Sequence, residues 1–281
     1  MAICAAVKFE KWHALGNDYV IVEADDLPWE LTPGRVRAIC ASHTGVSADG
    51  VLLLSRAGHP RMQVFNPDGS EAEVSGNGAR EAILYLYRHG YTGPIDTAAG
   101  ELRPTITSDT TCTVAMGKAR LASNDYPSGA PDGVGQLVAG GQTWRFRHVQ
   151  VGNPQCAIAV ETEAELVAVD ITRFGAKIER HELFPNRTNV SWFAPLGPDR
   201  IRARIFERGV GETSASGTGA TGAAVAYVLD GGSSPVTVAL DGGELEVRVG
   251  EDLEINLTGW AVPVFRGTLA EDFVEELRAI E

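Results

Sequence analysis

Two stretches decide how this chain folds: F-N-P-D-G-S-E-A-E-V-S-G-N-G-A at residues 65–79 and F-E-R-G-V-G-E-T-S-A-S-G-T-G-A at residues 206–220. Aligned at Phe65 and Phe206, they share Glu71 with Glu212, Ser75 with Ser216, Gly76 with Gly217, Gly78 with Gly219, and Ala79 with Ala220. Each runs into a stretch, 79–88 and 220–229, that is small or apolar on most sides. Helices of that kind are buried. Gly16-Asn17 in the first half matches Gly152-Asn153 in the second. The pattern predicts an internal duplication: two like units, each with a Gly-rich loop opening a buried helix.

Around these loops, strand signals dominate. Residues 19–22, 51–54, 62–65, 111–116, 148–151, 157–160, 188–193, 202–206, 236–240 and 245–249 are short runs of β-branched or alternating apolar residues. Asp241-Gly242-Gly243 marks a hairpin. Helix signals are fewer. Thr32-Pro33 starts one helix, Thr162 with Glu165 forms a capping box, and Asp170 caps a third. Thr268 with Glu271 reads as another capping box before a C-terminal helix, 269–280. The fold class is α+β, two units each made of a curved sheet on a central helix. The polar, turn-rich stretch 119–134 suggests a boundary. It gives a first domain of residues 1–120, with 262–281 packing on it, and a second domain of residues 121–261.

The chain has 281 residues, 44% of them hydrophobic and 22% charged, enough for a sizeable core in two modest domains. Its formal net charge of −13 argues against nucleic acid and against an anionic membrane surface as partners. The apolar run 1–7 is too short for a signal sequence and lacks a basic start, and no stretch has the length of a membrane span. Cys4, Cys40, Cys112 and Cys156 are scattered and form no metal-binding pair. The expectation is a cytoplasmic protein with reduced thiols, no metal and no cofactor.

A Gly-rich turn opening a helix presents unpaired N–H groups and the positive end of the helix dipole, a site for phosphate or carboxylate. No Lys follows the last glycine, and no G-x-G-x-x-G follows a strand, so neither standard nucleotide motif is present. Ser75 and Ser216 stand where an N-cap serine stands, and capping alone explains that residue type. Glu207-Arg208 reads either as an exposed ion pair or as a carboxylate-binding fork beside a proton-transferring group. Asn17, Asn66, Asn153 and Asn189 each read singly as turn residues.

Together the segments resemble the diaminopimelate epimerases, a cofactor-independent family of amino-acid racemases. The resemblance rests on K-W-H-A-L-G-N-D-Y at 11–19, G-V-S-A-D-G at 45–50, F-N-P-D-G-S-E at 65–71 and S-G-N-G-A-R at 75–80. It continues through V-G-N-P-Q at 151–155, R-T-N-V at 187–190 and E-R-G-V-G-E-T-S-A-S-G-T-G-A at 207–220. It implies two pseudo-symmetric domains, each a barrel-like sheet around a central helix, with the active-site cleft between them. It implies that Asn17, Asn66, Asn153, Asn189, Glu207 and Arg208 contact an amino-acid substrate, and that Gly76, Asn77, Gly217 and Thr218 supply main-chain donors. It implies conversion of LL- to meso-diaminopimelate for lysine and cell-wall synthesis, and it is compatible with a homodimer.

The chain departs from the family at the apex of both loops. The family carries cysteine where this chain has Ser75 and Ser216, one thiolate taking the α-proton and the opposite thiol returning one. A helix dipole contributes at most about 2 kcal/mol and cannot turn a serine hydroxyl into a usable alkoxide; an adjacent base is required. Gln155 replaces a family histidine, and Ser47 stands where glycine is usual. Glu207 and Glu212 remain as bases near the second loop, so the catalytic candidates are Ser75, Ser216 and Glu207. Weak or absent epimerisation is expected. Two other readings stay open: a one-base isomerase or dehydratase, and a non-catalytic amino-acid-binding protein.

Overall fold

A computed structural model describes residues 6–56, 58–72, 75–98 and 100–280. Cys4 and most of the apolar run 1–7 lie outside the described residues. By packing, the chain divides into Met1–Thr113 with Trp260–Glu281, and Val114–Gly259. The division falls upstream of the polar stretch 119–134.

The first unit runs β1 (Lys8–Ala14), β2 (Asn17–Glu23), α1 (Pro33–Cys40), β3 (Val51–Ser55), β4 (Arg61–Phe65), β5 (Glu71–Ala72), α2 (Gly76–Arg88), β6 (Ile95–Thr97) and β7 (Gly100–Leu102). Strands β8 (Pro104–Ser108) and β9 (Thr111–Lys118) follow, and the division cuts β9. The second unit continues with β10 (Val134–Ala139), β11 (Gln142–Val151), β12 (Asn153–Ala159), α3 (Glu163–Ala168), α4 (Ile171–Glu179), β13 (Asn189–Gly197), β14 (Arg200–Glu207), β15 (Gly211–Thr213), α5 (Gly217–Leu229), β16 (Val236–Leu240), β17 (Gly243–Val249) and β18 (Glu254–Trp260). The chain closes with β19 (Val262–Thr268) and α6 (Glu271–Ala279) in the first unit.

The duplication read from the loops is built into the helices. Both α2 and α5 have 13 residues and start at the glycine after a serine N-cap. One sheet has the order β19-β1-β2-β3-β4-β6-β7, with β5 beside β4; the other has β10-β11-β12-β13-β14-β16-β17-β18-β9-β8, with β15 beside β14. Neither path closes into a ring among the described residues, so each barrel-like sheet is an open one. The second sheet is nevertheless curved. Six neighbouring strands, β11 to β17 in that order, all touch α5. Laid flat they would span about 24 Å at normal strand spacing, twice the diameter of a helix.

The central strands of each sheet, such as β2 and β13, are buried on two faces, which explains their apolar runs. On β13, Val190, Trp192 and Ala194 join Trp144, Phe146 and Phe184 in the core that also takes Leu166 of α3 and Ile171 and Ile178 of α4. The alternate residue Ser191 points to α5, its hydroxyl donating to Gly219 O at 3.2 Å. In the first unit, Val36 and Ile39 of α1 and Val274 and Leu277 of α6 cover the face away from α2.

The expected caps at Thr32, Thr162 and Asp170 form, their oxygens accepting from Arg35, Glu165 and Arg173 N–H. The fourth does not. Helix α6 starts after Ala270 and has no side-chain cap. Thr268 is the last residue of β19, paired with Lys8, so its backbone is committed to the ladder. Glu271 and Asp272 favour the helix start through the dipole instead.

Candidate active site

In the first unit the Phe65–Ala79 loop delivers Ser75 to the start of α2 in an extended conformation, φ −120° and ψ 124°. Its Oγ accepts from Gly78 N–H at 3.0 Å, and Tyr19 Oη donates to the same oxygen at 3.1 Å. Ala79 N–H bonds Ser75 O at 2.8 Å. The amides ahead of these, Gly76 and Asn77, are those a helix leaves without internal acceptors. A Cβ on Gly78 would lie 3.0 Å from Leu52 and 3.3 Å from Ser75, so the tight turn favours glycine.

The side chain of Asn77 is buried and fixed at both ends. Its Nδ2 donates to Asn17 Oδ1 at 3.2 Å, and its Oδ1 accepts from Arg80 Nη2 at 2.6 Å. Arg80 also donates to Gly76 O at 3.0 Å. Asn17 in turn donates to Asp49 at 3.0 Å. Sequence reading named Asn17 and Asn77 but missed Tyr19, Asp49 and Arg80, which hold them. The signal was present, since all three lie inside the motifs quoted above. Asn66 is tied into its own turn, donating to Ser70 Oγ at 3.0 Å.

The second unit repeats the loop with different chemistry. Ser216 caps α5, its Oγ accepting from Gly219 N–H at 3.2 Å. Its hydroxyl lies beside the Glu207 carboxyl and favours the charged form of that group. Burial pushes the Glu207 carboxyl above its usual range, and the Ser216 hydroxyl opposes that rise. Gly219 is required sterically, because a Cβ there would sit 2.7 Å from Ile205. Gly217 and Thr218 supply the leading amides of α5. Glu212, the other carboxylate expected near this loop, is held by Arg204 Nη2 at 2.7 Å and Nε at 3.0 Å.

Asn189 is 4% exposed and its Oδ1 accepts from Arg208 N–H at 2.7 Å. Arg208 donates to Asn186 O at 3.0 Å. The turn is fixed from below by Glu179 of α4, which sequence reading missed. Its carboxylate is 3% exposed, accepts from Gly209 N–H at 2.9 Å and pairs with Arg187 at 3.5 Å. Asn153 Oδ1 accepts from Gln155 Nε2. Gln155 is fully buried beside Asn189 in the parallel β12–β13 register, and its Oε1 has no partner among the described residues. Gly222 of α5 lies so close to the Gln155 side chain that a Cβ there would approach it to 2.7 Å.

The two loops therefore share a capped helix start and differ in what the cap touches: a phenol at Ser75, a carboxylate at Ser216. The described cysteines do not substitute for a thiol there. They are buried elsewhere, and burial pushes Cys40 and Cys112 up to about 12.

The diaminopimelate epimerase family model matches residues 9–122 and 147–263. The chain is 39% identical to the diaminopimelate epimerase of Synechococcus sp. (strain JA-3-3Ab), covering 94% of this chain and 99% of that protein. It is 39% identical to the Moorella thermoacetica diaminopimelate epimerase, with the same coverage. Among solved structures, a hydroxyproline epimerase from Agrobacterium vitis superposes with a TM-score of 0.66 at 14% identity, covering 97% of this chain and 94% of that one. A Bacillus anthracis protein of the PhzF phenazine-biosynthesis family also gives 0.66, at 17% identity, with 94% and 99% covered. These structures share the fold. Matched along nearly its whole length, the chain belongs to the diaminopimelate epimerase family.

Proposed function

We propose that this protein moves a proton at the α-carbon of diaminopimelate or a close analogue without a cofactor, with Glu207 as the base and Ser216 as the hydroxyl that positions it. The observation that carries this reading is the desolvated Glu207 carboxyl at the end of β14, beside the Ser216 hydroxyl that caps α5. A carboxylate with a raised pKa is the stronger base, and general-base groups contribute about 10²–10⁴-fold. The leading amides of each helix bind substrate carboxylate, and Arg208, Asn17, Asn66, Asn153 and Asn189 orient the amino acid. As Glu207 takes the α-proton and is neutralised, negative charge develops on the substrate's α-carbon and its own carboxylate, where the helix amides stabilise it most.

In the reading carried over from the family, the two loops address opposite faces of one α-carbon. Ser75 has Tyr19 where Ser216 has Glu207, and a neutral phenol is a poor base with a reference pKa of about 10. Exchange on one face then outruns inversion. The test is NMR of diaminopimelate in deuterated water. Deuterium should enter Cα faster than LL-substrate becomes meso, and Ser75→Cys with Ser216→Cys should raise inversion at least tenfold. Inversion that keeps pace with exchange in the unmodified protein would overturn the one-base reading. Tight binding with neither process would favour an amino-acid-binding role.

A further inference from the structure

The first unit contains a second polar cavity, of about 440 Å³, at the opposite end of α2 from Ser75. The helix has 13 residues, so the two ends are about 20 Å apart. The floor is the α2 face of β19, β1 and β2, and the helix contributes Tyr85 and His89, whose rings stack 4.2 Å apart. The volume is in the range of small-molecule sites.

The charges around this cavity fall into two sets. Glu10 and Glu23 are engaged. Glu10 accepts from Trp12 Nε1 at 2.8 Å and Arg266 Nε at 2.7 Å, and Glu23 accepts from Tyr85 Oη at 2.6 Å and pairs with Arg56 at 2.8 Å. Lys8 and Asp26 also line the cavity, yet neither makes an ion pair or side-chain hydrogen bond among the described residues. One cavity thus carries two opposite, exposed charges at its rim, beside the paired Glu10 and Glu23. The equivalent place in the second unit lacks this arrangement. Asp230 caps α5 as His89 caps α2, but it pairs with Arg147 at 2.6 Å, beside a smaller cavity of about 250 Å³ lined by Ala157 and Ala159.

We propose that the cavity at the end of α2 binds a free amino acid as a zwitterion, its ammonium at Asp26 and its carboxylate at Lys8. The negative end of the helix dipole favours the ammonium group. This site is separate from the loops at Ser75 and Ser216 and does not depend on their chemistry.

The experiment titrates the isotope-labelled full chain with L-leucine and follows backbone amides by NMR. Isoamylamine, which lacks the carboxylate, and 4-methylpentanoate, which lacks the ammonium, serve as comparisons. Leucine should shift Ile21, Tyr85 and His89 saturably and bind at least tenfold tighter than either single-charge compound. Asp26→Asn and Lys8→Met should each weaken it about fivefold, the worth of one exposed ion pair. Shifts confined to the amides at 76–78 and 217–219, no saturable shift at Ile21 and His89, equal binding of the single-charge compounds, or affinity unchanged in both variants would each overturn the proposal.

Discussion

Ser216 caps α5, its Oγ accepting the Gly219 N–H at 3.2 Å, and the same hydroxyl lies beside the Glu207 carboxyl and favours its charged form. Removing the carboxylate should abolish proton chemistry without unfolding the loop. Glu207→Gln is expected to lower Cα deuterium exchange by at least 100-fold, as for other general bases. Glu212→Gln should change it less than threefold, because Glu212 is bound to Arg204. Exchange needs the ionised form of Glu207. It should therefore rise with pH through a value above the ordinary 4.5 of a glutamate. Equal losses in the two variants would sink the assignment.

The two serines should separate when each is replaced by alanine. Both lose a cap, worth about 1 kcal/mol, which thermal unfolding reads as a fall of about 2–4 °C for a chain of this size. Only Ser216→Ala also removes the hydroxyl that favours the charged form of Glu207. A hydrogen bond to the carboxylate lowers its pKa, so its loss should move the exchange profile to higher pH. Ser75→Ala should leave that profile in place. A profile that shifts equally in both variants would contradict the pairing.

The fold was legible where periodicity and turn chemistry act locally. The duplicated loops located α2 and α5, and ten apolar runs found ten strands. Missing were strands whose residues are chosen by partners elsewhere. Strand β1 carries Glu10 as a buried side chain, which makes sense only once Trp12 and Arg266 are seen to satisfy it. Strand β19 exposes Val264 and Phe265 at the edge of its sheet. In the site, motif residues were identifiable but their wiring was not. Glu212 and Glu207 look alike in sequence, and only the structure shows that Arg204 holds the first while the second lies beside Ser216.

Glu179 reaches the turn at Arg208 from α4, a segment with no motif. Its carboxylate accepts the Gly209 N–H next to Arg208 and pairs with Arg187. It acts by positioning. Glu179→Gln keeps an acceptor of the same size but loses the ion pair, so KM should rise several-fold with kcat within about twofold, the pattern of lost uniform binding. Glu179→Ala also removes the acceptor of the Gly209 N–H and should lower stability by about 1 kcal/mol, the net worth of one hydrogen bond. A kcat loss in Glu179→Gln comparable with that of Glu207→Gln would mean that Glu179 takes part in the chemistry.

His148 gives the chain an acid-sensitive core. It lies on β11, fully buried, with Nε2 2.9 Å from Ser123 Oγ. Burial pushes the imidazole down from 6.5 to about 4, against the opposing pull of Asp125. The unfolded chain then binds a proton more readily than the folded one between those values. Linkage requires stability to fall as pH drops from about 6.5 to about 4. Urea unfolding of the unmodified protein and of His148→Gln, at pH 7 and at pH 4.5, isolates this contribution, since the carboxylates are common to both. The variant should start less stable at pH 7, having lost a packed ring, and should lose less on acidification. Parallel losses in the two proteins would show that His148 keeps its proton equilibrium on folding.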